Sequence, residues 1–325
     1  MNGGAAGDAR GQLARAVLMG DRGNVDGARD LLGQLEPALP DECRVERVLL
    51  DLRDQRPTGP LLDALDDVLA RSDERPLLRG RALHAKGRSL ARVADTAGAA
   101  SCLLDALASY AAAGASERAA AVYDTLGMVF AFEGQLEPAV AYYAISLAEK
   151  LVGEDRSGAA ITLGQIGRLQ LRAGRAREAR RCFELDLRLA EEHGDLRGQA
   201  QMWNDIARTY LMEERSTEAL DAVARSLETA DGQHLEEIAI FAHKDRALAL
   251  VQRARASRDG SADLDSAMAA VRQGRSLLRS RHDAFAAALL DHAEGLVLES
   301  REDPGAAPLL QAAVESLSGL RAPDF

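Results

Sequence analysis

Aromatic residues and cysteines are scarce in this chain of 325 residues. Phe, Trp and Tyr make up 4% of the sequence, so small and aliphatic side chains must fill the core. The three cysteines, Cys43, Cys102 and Cys182, lie far apart and form no CxxC pair, which argues against a disulfide framework and a zinc site. We therefore expect buried free thiols and no bound metal.

Proline is absent between Pro138 and Pro304, so the middle of the chain contains no obligatory helix breaker. Alanine and leucine are abundant, and both favour helices. No run approaches the ~18 apolar residues that span a membrane. The first residues also lack the basic and apolar regions of a secretion signal. We expect a cytoplasmic protein.

Basic side chains are fewer than acidic ones. The chain has 40 basic and 51 acidic side chains, and its formal net charge is −11. Such a surface repels phosphate backbones and anionic lipids, so we expect neither nucleic acid nor a membrane as a partner. The six histidines form no HExxH pattern, and no GxSxG motif, Walker loop or dinucleotide fingerprint occurs. We therefore expect no cofactor, no catalytic residues and no enzymatic activity.

A pattern of two large residues and one small residue recurs every 40 residues in the middle of the chain. Another small residue follows twelve positions later, and a bulky residue comes four positions after that. Glycine or polar residues, such as Gly134 and Gly174, separate the two halves of each unit. This arrangement predicts repeated pairs of antiparallel helices. The three copies are Tyr123-Leu126-Gly127 with Ala139 and Tyr143, Leu163-Ile166-Gly167 with Ala179 and Phe183, and Trp203-Ile206-Ala207 with Ala219 and Val223.

This pattern resembles the tetratricopeptide repeat (TPR), W-x2-L-G-x2-Y followed by A-x3-F, and Trp203, Tyr210 and Ala219 match that signature. The commonest unit has about 34 residues, and the 40-residue unit here fits helices that are each about one turn longer. Long-helix arrays occur in bacterial regulators, including Rap and PlcR-like peptide receptors and arrays attached to transcription factors or caspase-like proteases. The resemblance implies an all-α, right-handed α-solenoid, or superhelix, of about seven or eight antiparallel hairpins.

We expect a single solenoid over residues 1–325, in which the match to the repeat varies. Residues 9–75 form divergent N-terminal hairpins, residues 76–256 match best, and residues 257–320 form C-terminal hairpins with an insert near 257–262. Residues 1–8 and 321–325 are expected to be tails. Because terminal repeats are usually atypical, two interpretations stay open for the end hairpins. They either cap the array or contact a second copy in a homodimer.

The resemblance also implies which side chains meet a guest. In this family the first helix of each hairpin lines a concave groove, and residues at i, i+4 and i+8 share one exposed face. Arginines recur at one phase of successive hairpins, and methionine and phenylalanine add an apolar spot. The expected groove residues are Arg88, Arg92, Asp124, Met128, Phe132, Gln165, Arg168, Arg172, Gln201, Asn204, Arg208, Met212 and Lys244.

Two interpretations of the arginines stay open. Guanidinium groups bind carboxylates in a bidentate manner, and Asn and Gln hydrogen-bond peptide backbones, so the groove suits an acidic peptide or protein segment. Alternatively, the arginines are solvated and paired with carboxylates such as Glu133, Glu178 or Asp205.

We therefore expect a non-catalytic scaffold or sensor that binds a protein or peptide in the groove. One alternative is a regulatory module that controls a partner protease, kinase or transcription factor. A second alternative is a small-molecule-binding protein or an enzyme on a helical scaffold. An enclosed pocket with convergent titratable groups would favour this second alternative.

Overall fold

The computed structural model describes residues 3–21, 23–54, 56–278 and 283–319. Over these residues the chain forms sixteen α-helices, one short 3-10 helix and the turns between them, with no strand. The predicted all-α class is confirmed. The helices pair into eight antiparallel hairpins, in agreement with the seven or eight expected.

The chain divides into two compact units, Met1–Asp155 and Arg156–Phe325. The first unit contains α1 (Gly3–Asp21), α2 (Val25–Leu35), α3 (Pro40–Arg53), α4 (Thr58–Leu69), α5 (Pro76–Arg92), α6 (Thr96–Ala112), the 3-10 helix Ser116–Arg118, α7 (Ala119–Phe132) and α8 (Leu136–Val152). The second unit contains α9 (Arg156–Arg172), α10 (Ala176–His193), α11 (Leu196–Met212), α12 (Ser216–Gly232), α13 (Glu236–Ala256), α14 (Ser261–Leu278), α15 (Ala284–Ser300) and α16 (Ala306–Gly319). One continuous solenoid over both units stays a prediction.

Within each unit, every odd-numbered helix packs against the even-numbered helix that follows it. The odd-numbered helices are therefore the first helices of their hairpins. They also contact one another from hairpin to hairpin, as α3 does with α5 and α11 with α13. Side chains from successive first helices consequently lie side by side on one face of each unit.

The two helices of a hairpin approach closely where a small residue of the first helix faces a large residue of the second. A Cβ atom added to Gly127 would lie 2.9 Å from the ring of Tyr143, and one added to Gly167 would lie 2.4 Å from Cε1 of Phe183. In each pair the two residues are sixteen positions apart. Two further pairs with this separation are Gly87 with Leu103, and Ala207 with Val223. The recurring small residues of the sequence pattern are thus explained by steric contact.

The turns repeat as regularly as the helices. The intra-hairpin turns contain a left-handed residue at Ala94, Gly134, Gly174 and Glu214, and the inter-hairpin turns contain one at Gly114, Glu154, Gly194 and His234. These eight residues are spaced by twenty positions. Each lies just past the end of a helix, where a left-handed residue lets backbone N–H groups reach the last free carbonyls.

The two aromatic residues of the TPR signature, Trp203 and Tyr210, pack against other side chains of the second unit. Trp203 is half-buried against the core of the second unit, and the guanidinium of Arg225 lies 4.5 Å from its ring centroid. Tyr210 lies between two guanidinium groups, those of Arg180 at 4.4 Å and Arg215 at 4.8 Å. These contacts combine apolar burial with cation–π attraction.

The ends of the chain differ from the prediction in detail. Helix α1 begins at Gly3 rather than near residue 9, so most of the expected N-terminal tail is helical. The insert near 257–262 is a loop of four residues, 257–260, because α13 continues to Ala256. The expected tail at 321–325 lies outside the described residues.

Over the described part of the chain, no helix is both long and apolar enough to cross a membrane.

The cysteines only partly match the expectation of buried thiols. Cys43 is buried, and burial raises the pKa of its thiol to about 11, so it stays protonated and unreactive. Cys102 and Cys182 are half-buried.

The contact between Gly167 and Phe183 gives the first testable prediction. Gly167→Ala should destabilise the chain by about 1–3 kcal/mol, because the added methyl group forces apart two packed helices. Urea unfolding followed by circular dichroism measures this cost. A matched control is Gly232→Ala at the end of α12, where an added Cβ meets no atom within 4 Å. Equal stability of the two variants would contradict the assignment.

Candidate functional site

The first helices of the second unit carry a polar cluster centred on Asp205 of α11. This carboxylate is almost wholly buried, with 1% of its side chain exposed, and it accepts hydrogen bonds from two arginines. Arg168 Nη1 of α9 donates to Oδ2 at 3.2 Å, and Arg208 Nη1 donates to Oδ1 at 3.2 Å. Gln201 Nε2 lies 3.5 Å from Oδ2. The cluster therefore joins two successive first helices.

A second buried carboxylate, Asp186 of α10, lies next to this cluster. A Cβ atom built on Gly164 would be 3.0 Å from Asp186 Oδ2 and 3.3 Å from Arg168 Nη2, so the two groups meet at that glycine. Burial raises the pKa of Asp186 to about 7. The charge of Arg168 opposes this shift, and the negative charges of Asp205 and Asp195 add to it. Asp186 consequently titrates near neutral pH.

The polar cluster continues onto α13. Lys244 forms an ion pair with buried Asp245, and Gln252 Nε2 donates to the carbonyl of Leu211 at 3.0 Å. Buried atoms on all three helices make no hydrogen bond with the described residues, among them Arg168 Nε, Asn204 Oδ1, Asp245 Oδ2 and Gln252 Oε1. Buried polar groups are normally satisfied, and unsatisfied atoms also occur elsewhere among the described residues, as at Ser146 Oγ of α8.

The structure supports the pairing interpretation for part of the expected groove. Arg168 and Arg208 share Asp205, and Lys244 pairs with Asp245, so these three cations have carboxylate partners. Asn204 is buried rather than exposed. Gln165 is half-buried, and Arg172 and Met212 are exposed. The second unit thus carries eight of the expected groove residues on α9, α11 and α13. The negative charges beside them come from Asp205 and Asp245.

The remaining five expected groove residues lie in the first unit, and their contacts differ from one residue to the next. Arg92 donates to backbone carbonyls at and beyond the end of α3, to Arg56 at 3.2 Å and Leu52 at 3.5 Å, which is a capping role. Asp124 forms an ion pair with Lys150 of α8. Met128 is half-buried, whereas Phe132 is 59% exposed. The fifth residue, Arg88, lines a cavity.

That cavity lies within the first unit and has a volume of about 270 Å³. Side chains from α1, α2, α3, α5, α6 and α7 form its wall, together with the 3-10 helix. Its charged lining is strongly unbalanced, because four arginines face one carboxylate, Glu46. The arginines are Arg53, Arg81, Arg88 and Arg118.

The groups around the cavity influence one another's ionisation. Burial, together with the charges of Arg88 and Arg118, lowers the pKa of His84 to about 3. His84 is therefore neutral, and its Nε2 lies 2.9 Å from Thr125 Oγ1. Burial also lowers the pKa of Arg88, and Arg53 acts in the same direction. The guanidinium groups thus lie close enough to repel one another.

Of this lining, Arg88 is among the groove residues expected from the sequence. Arg81, His84 and Arg88 stand at i, i+3 and i+7 and share one face of α5, a spacing that could have revealed the cluster. Arg53 and Arg118 could not have been found in this way, because they come from distant turns and helix ends. Titratable groups that converge on one cavity favour small-molecule binding.

The comparisons with known proteins concern the fold. No protein-family model matches the sequence, and neither does any curated protein. Among solved structures, the apo form of RapI is 14% identical with a TM-score of 0.77, over 95% of this chain and 86% of RapI. Aspartyl phosphate phosphatase F from Bacillus subtilis is 11% identical with a TM-score of 0.67, over 98% of this chain and 85% of that chain. The apo quorum sensor NprR from B. thuringiensis is 10% identical with a TM-score of 0.57, over 96% and 99% of the two chains. The predicted resemblance to TPR and Rap-like repeat proteins is confirmed at the level of the fold.

The raised pKa of Asp186 gives a pH prediction. The folded chain binds this proton more tightly than the unfolded chain, whose carboxyl keeps its ordinary pKa of 3.8. Wild-type stability should therefore fall as the pH rises from about 4 to about 7, by ~1–3 kcal/mol from this group. Asp186→Asn should remove this part of the fall, so that the variant gains stability relative to wild type at higher pH.

Urea unfolding at several pH values between about 4.5 and 8 measures this difference. Asp221→Asn, at an exposed position of α12, is the matched control and should follow the wild-type profile. Parallel stability profiles for wild type and Asp186→Asn would rule out a titrating Asp186.

Proposed function

We propose that this TPR fold serves as a non-catalytic regulatory scaffold that binds a peptide or protein segment on the first helices of its second unit. The binding face comprises Arg168, Gln201, Asn204, Arg208, Met212 and Lys244, and we call it the first-helix face. The proposal keeps the expectation of a protein or peptide partner.

The observation that carries this proposal is the row of polar groups on α9, α11 and α13. A peptide backbone offers one donor and one acceptor per residue. The first-helix face supplies both, through guanidinium and amide N–H groups as donors and through amide oxygens such as Asn204 Oδ1 as acceptors. Met212, which is 47% exposed, adds an apolar contact beside the polar groups. Such a combination suits an extended segment with mixed side chains.

The charges of the first-helix face argue against a strongly acidic guest there. Asp205 compensates Arg168 and Arg208, and Asp245 compensates Lys244. The excess of positive charge lies instead around the cavity of the first unit. The partner segment of the first-helix face should therefore bind through hydrogen bonds and shape more than through net charge.

A regulatory role is supported by what the structural neighbours are called. NprR is a quorum sensor, and RapI and aspartyl phosphate phosphatase F have the same fold. We propose by analogy that this chain controls a partner protein when its first-helix face is occupied.

Site-specific cross-linking tests the proposed face. With a photo-reactive amino acid at Met212, the chain should capture a partner from native lysate, whereas the same group at exposed Ala224 of α12 should not. Arg208→Ala should weaken capture about tenfold, because a charged hydrogen bond of about 1.5 kcal/mol is lost.

The matched control for Arg208→Ala is Arg188→Ala, which removes an exposed arginine from the second helix α10. All variants should show wild-type helicity before capture is compared. Efficient capture from Ala224 together with none from Met212 would overturn the assignment of the face.

A further inference from the structure

The cavity of the first unit has an excess of positive charge inside a protein whose net charge is −11. Glu46 is the one carboxylate among the described residues of its lining, and it forms an ion pair with Arg81. Arg88 and Arg118 have no hydrogen bond or ion pair with any group in the described part of the chain. Two cations at one cavity thus have no carboxylate to balance them.

This arrangement is costly for the chain alone. Removing a guanidinium group from water carries a penalty that a nearby carboxylate usually offsets. Here Arg88 is half-buried and is repelled by Arg53, while Arg81 is repelled by Arg118. An anion in the cavity would offset both the desolvation and the repulsion.

The shape and chemistry of the wall restrict what the anion can be. A volume of about 270 Å³ lies just below the ~300–1,000 Å³ of ordinary ligand pockets, so the guest is small. Planar guanidinium groups bind the paired oxygens of carboxylates and phosphates. Val17, Leu32 and Leu49 supply an apolar part of the wall, which suits a short carbon chain.

We propose that this cavity is a binding site for an oxyanion, a carboxylate or phosphate group, held chiefly by Arg88 and Arg118. Two sources share this chemistry. The group belongs either to a free small molecule or to an acidic side chain of a bound peptide. The site shares no residue with the first-helix face, because every lining residue lies in the first unit.

Titration calorimetry on the full chain tests this site with four probes. Inorganic phosphate and succinate represent free small anions, N-acetylglutamate amide represents an acidic peptide side chain, and succinamide is the uncharged control. At least one of the three anions should bind saturably at one site per chain, more weakly at higher salt, and succinamide should not bind. Binding of phosphate or succinate identifies a free anion, and binding of N-acetylglutamate amide alone identifies a peptide side chain.

Two variants and one control locate the binding. Arg88→Gln and Arg118→Gln should each weaken it by about 10- to 100-fold, the loss expected for one charged hydrogen-bonded pair. Arg118 is exposed, so its variant remains informative if Arg88→Gln folds poorly. Arg10→Gln, at an exposed position of α1, should bind as wild type does.

Two results would overturn the proposal. One is the absence of saturable binding for all three anions. The other is an equal loss in Arg10→Gln and Arg118→Gln, which would show non-specific attraction. Neither result concerns capture at Met212, so failure of this site and failure of the proposed function can be told apart.

Discussion

The close approach of two helices over a small residue is the contact on which the rest of the structure depends. Gly127 and Gly167 leave room for the rings of Tyr143 and Phe183, so each hairpin closes tightly on its inner side. Because one face of the first helix is committed to this contact, its other faces stack on the neighbouring first helices or remain available for polar side chains. The polar cluster around Asp205 uses first helices, and so do Arg53, Arg81 and Arg88 of the basic cavity, whereas Arg118 comes from the 3-10 helix.

The two polar sites differ in how their charges are balanced. In the second unit, Asp205 and Asp245 lie beneath the cations and compensate them, and the face that results offers donors and acceptors of both kinds. In the first unit, no carboxylate of the described residues pairs with Arg88 or Arg118, and Glu46 already pairs with Arg81. A balanced face suits a peptide backbone, whereas an unbalanced cavity suits an anion. The two units therefore present sites that favour different ligands.

Local periodicity made the fold predictable and left the sites only partly so. The 40-residue spacing of Gly127, Gly167 and Ala207 predicts hairpins, because a steric contact within one hairpin needs only residues close in sequence. The same spacing placed Arg168 and Arg208 on one face. Their shared partner Asp205 was considered beforehand among several carboxylates, but side-chain pairing depends on the distance between helices. Arg53, Arg88 and Arg118 line the cavity from separate parts of the chain. Their positions follow no repeat spacing, so the sequence pattern could not predict that they lie close together.

The central claim is that the first helices, and not the second helices, bind the partner. Hydrogen exchange measured by mass spectrometry, with and without the captured partner, tests it most directly, since bound segments exchange more slowly. The account predicts slower exchange in α11 and α13, around Asn204 and Lys244, and little change in α10 and α12. Protection confined to α10 and α12 would contradict it.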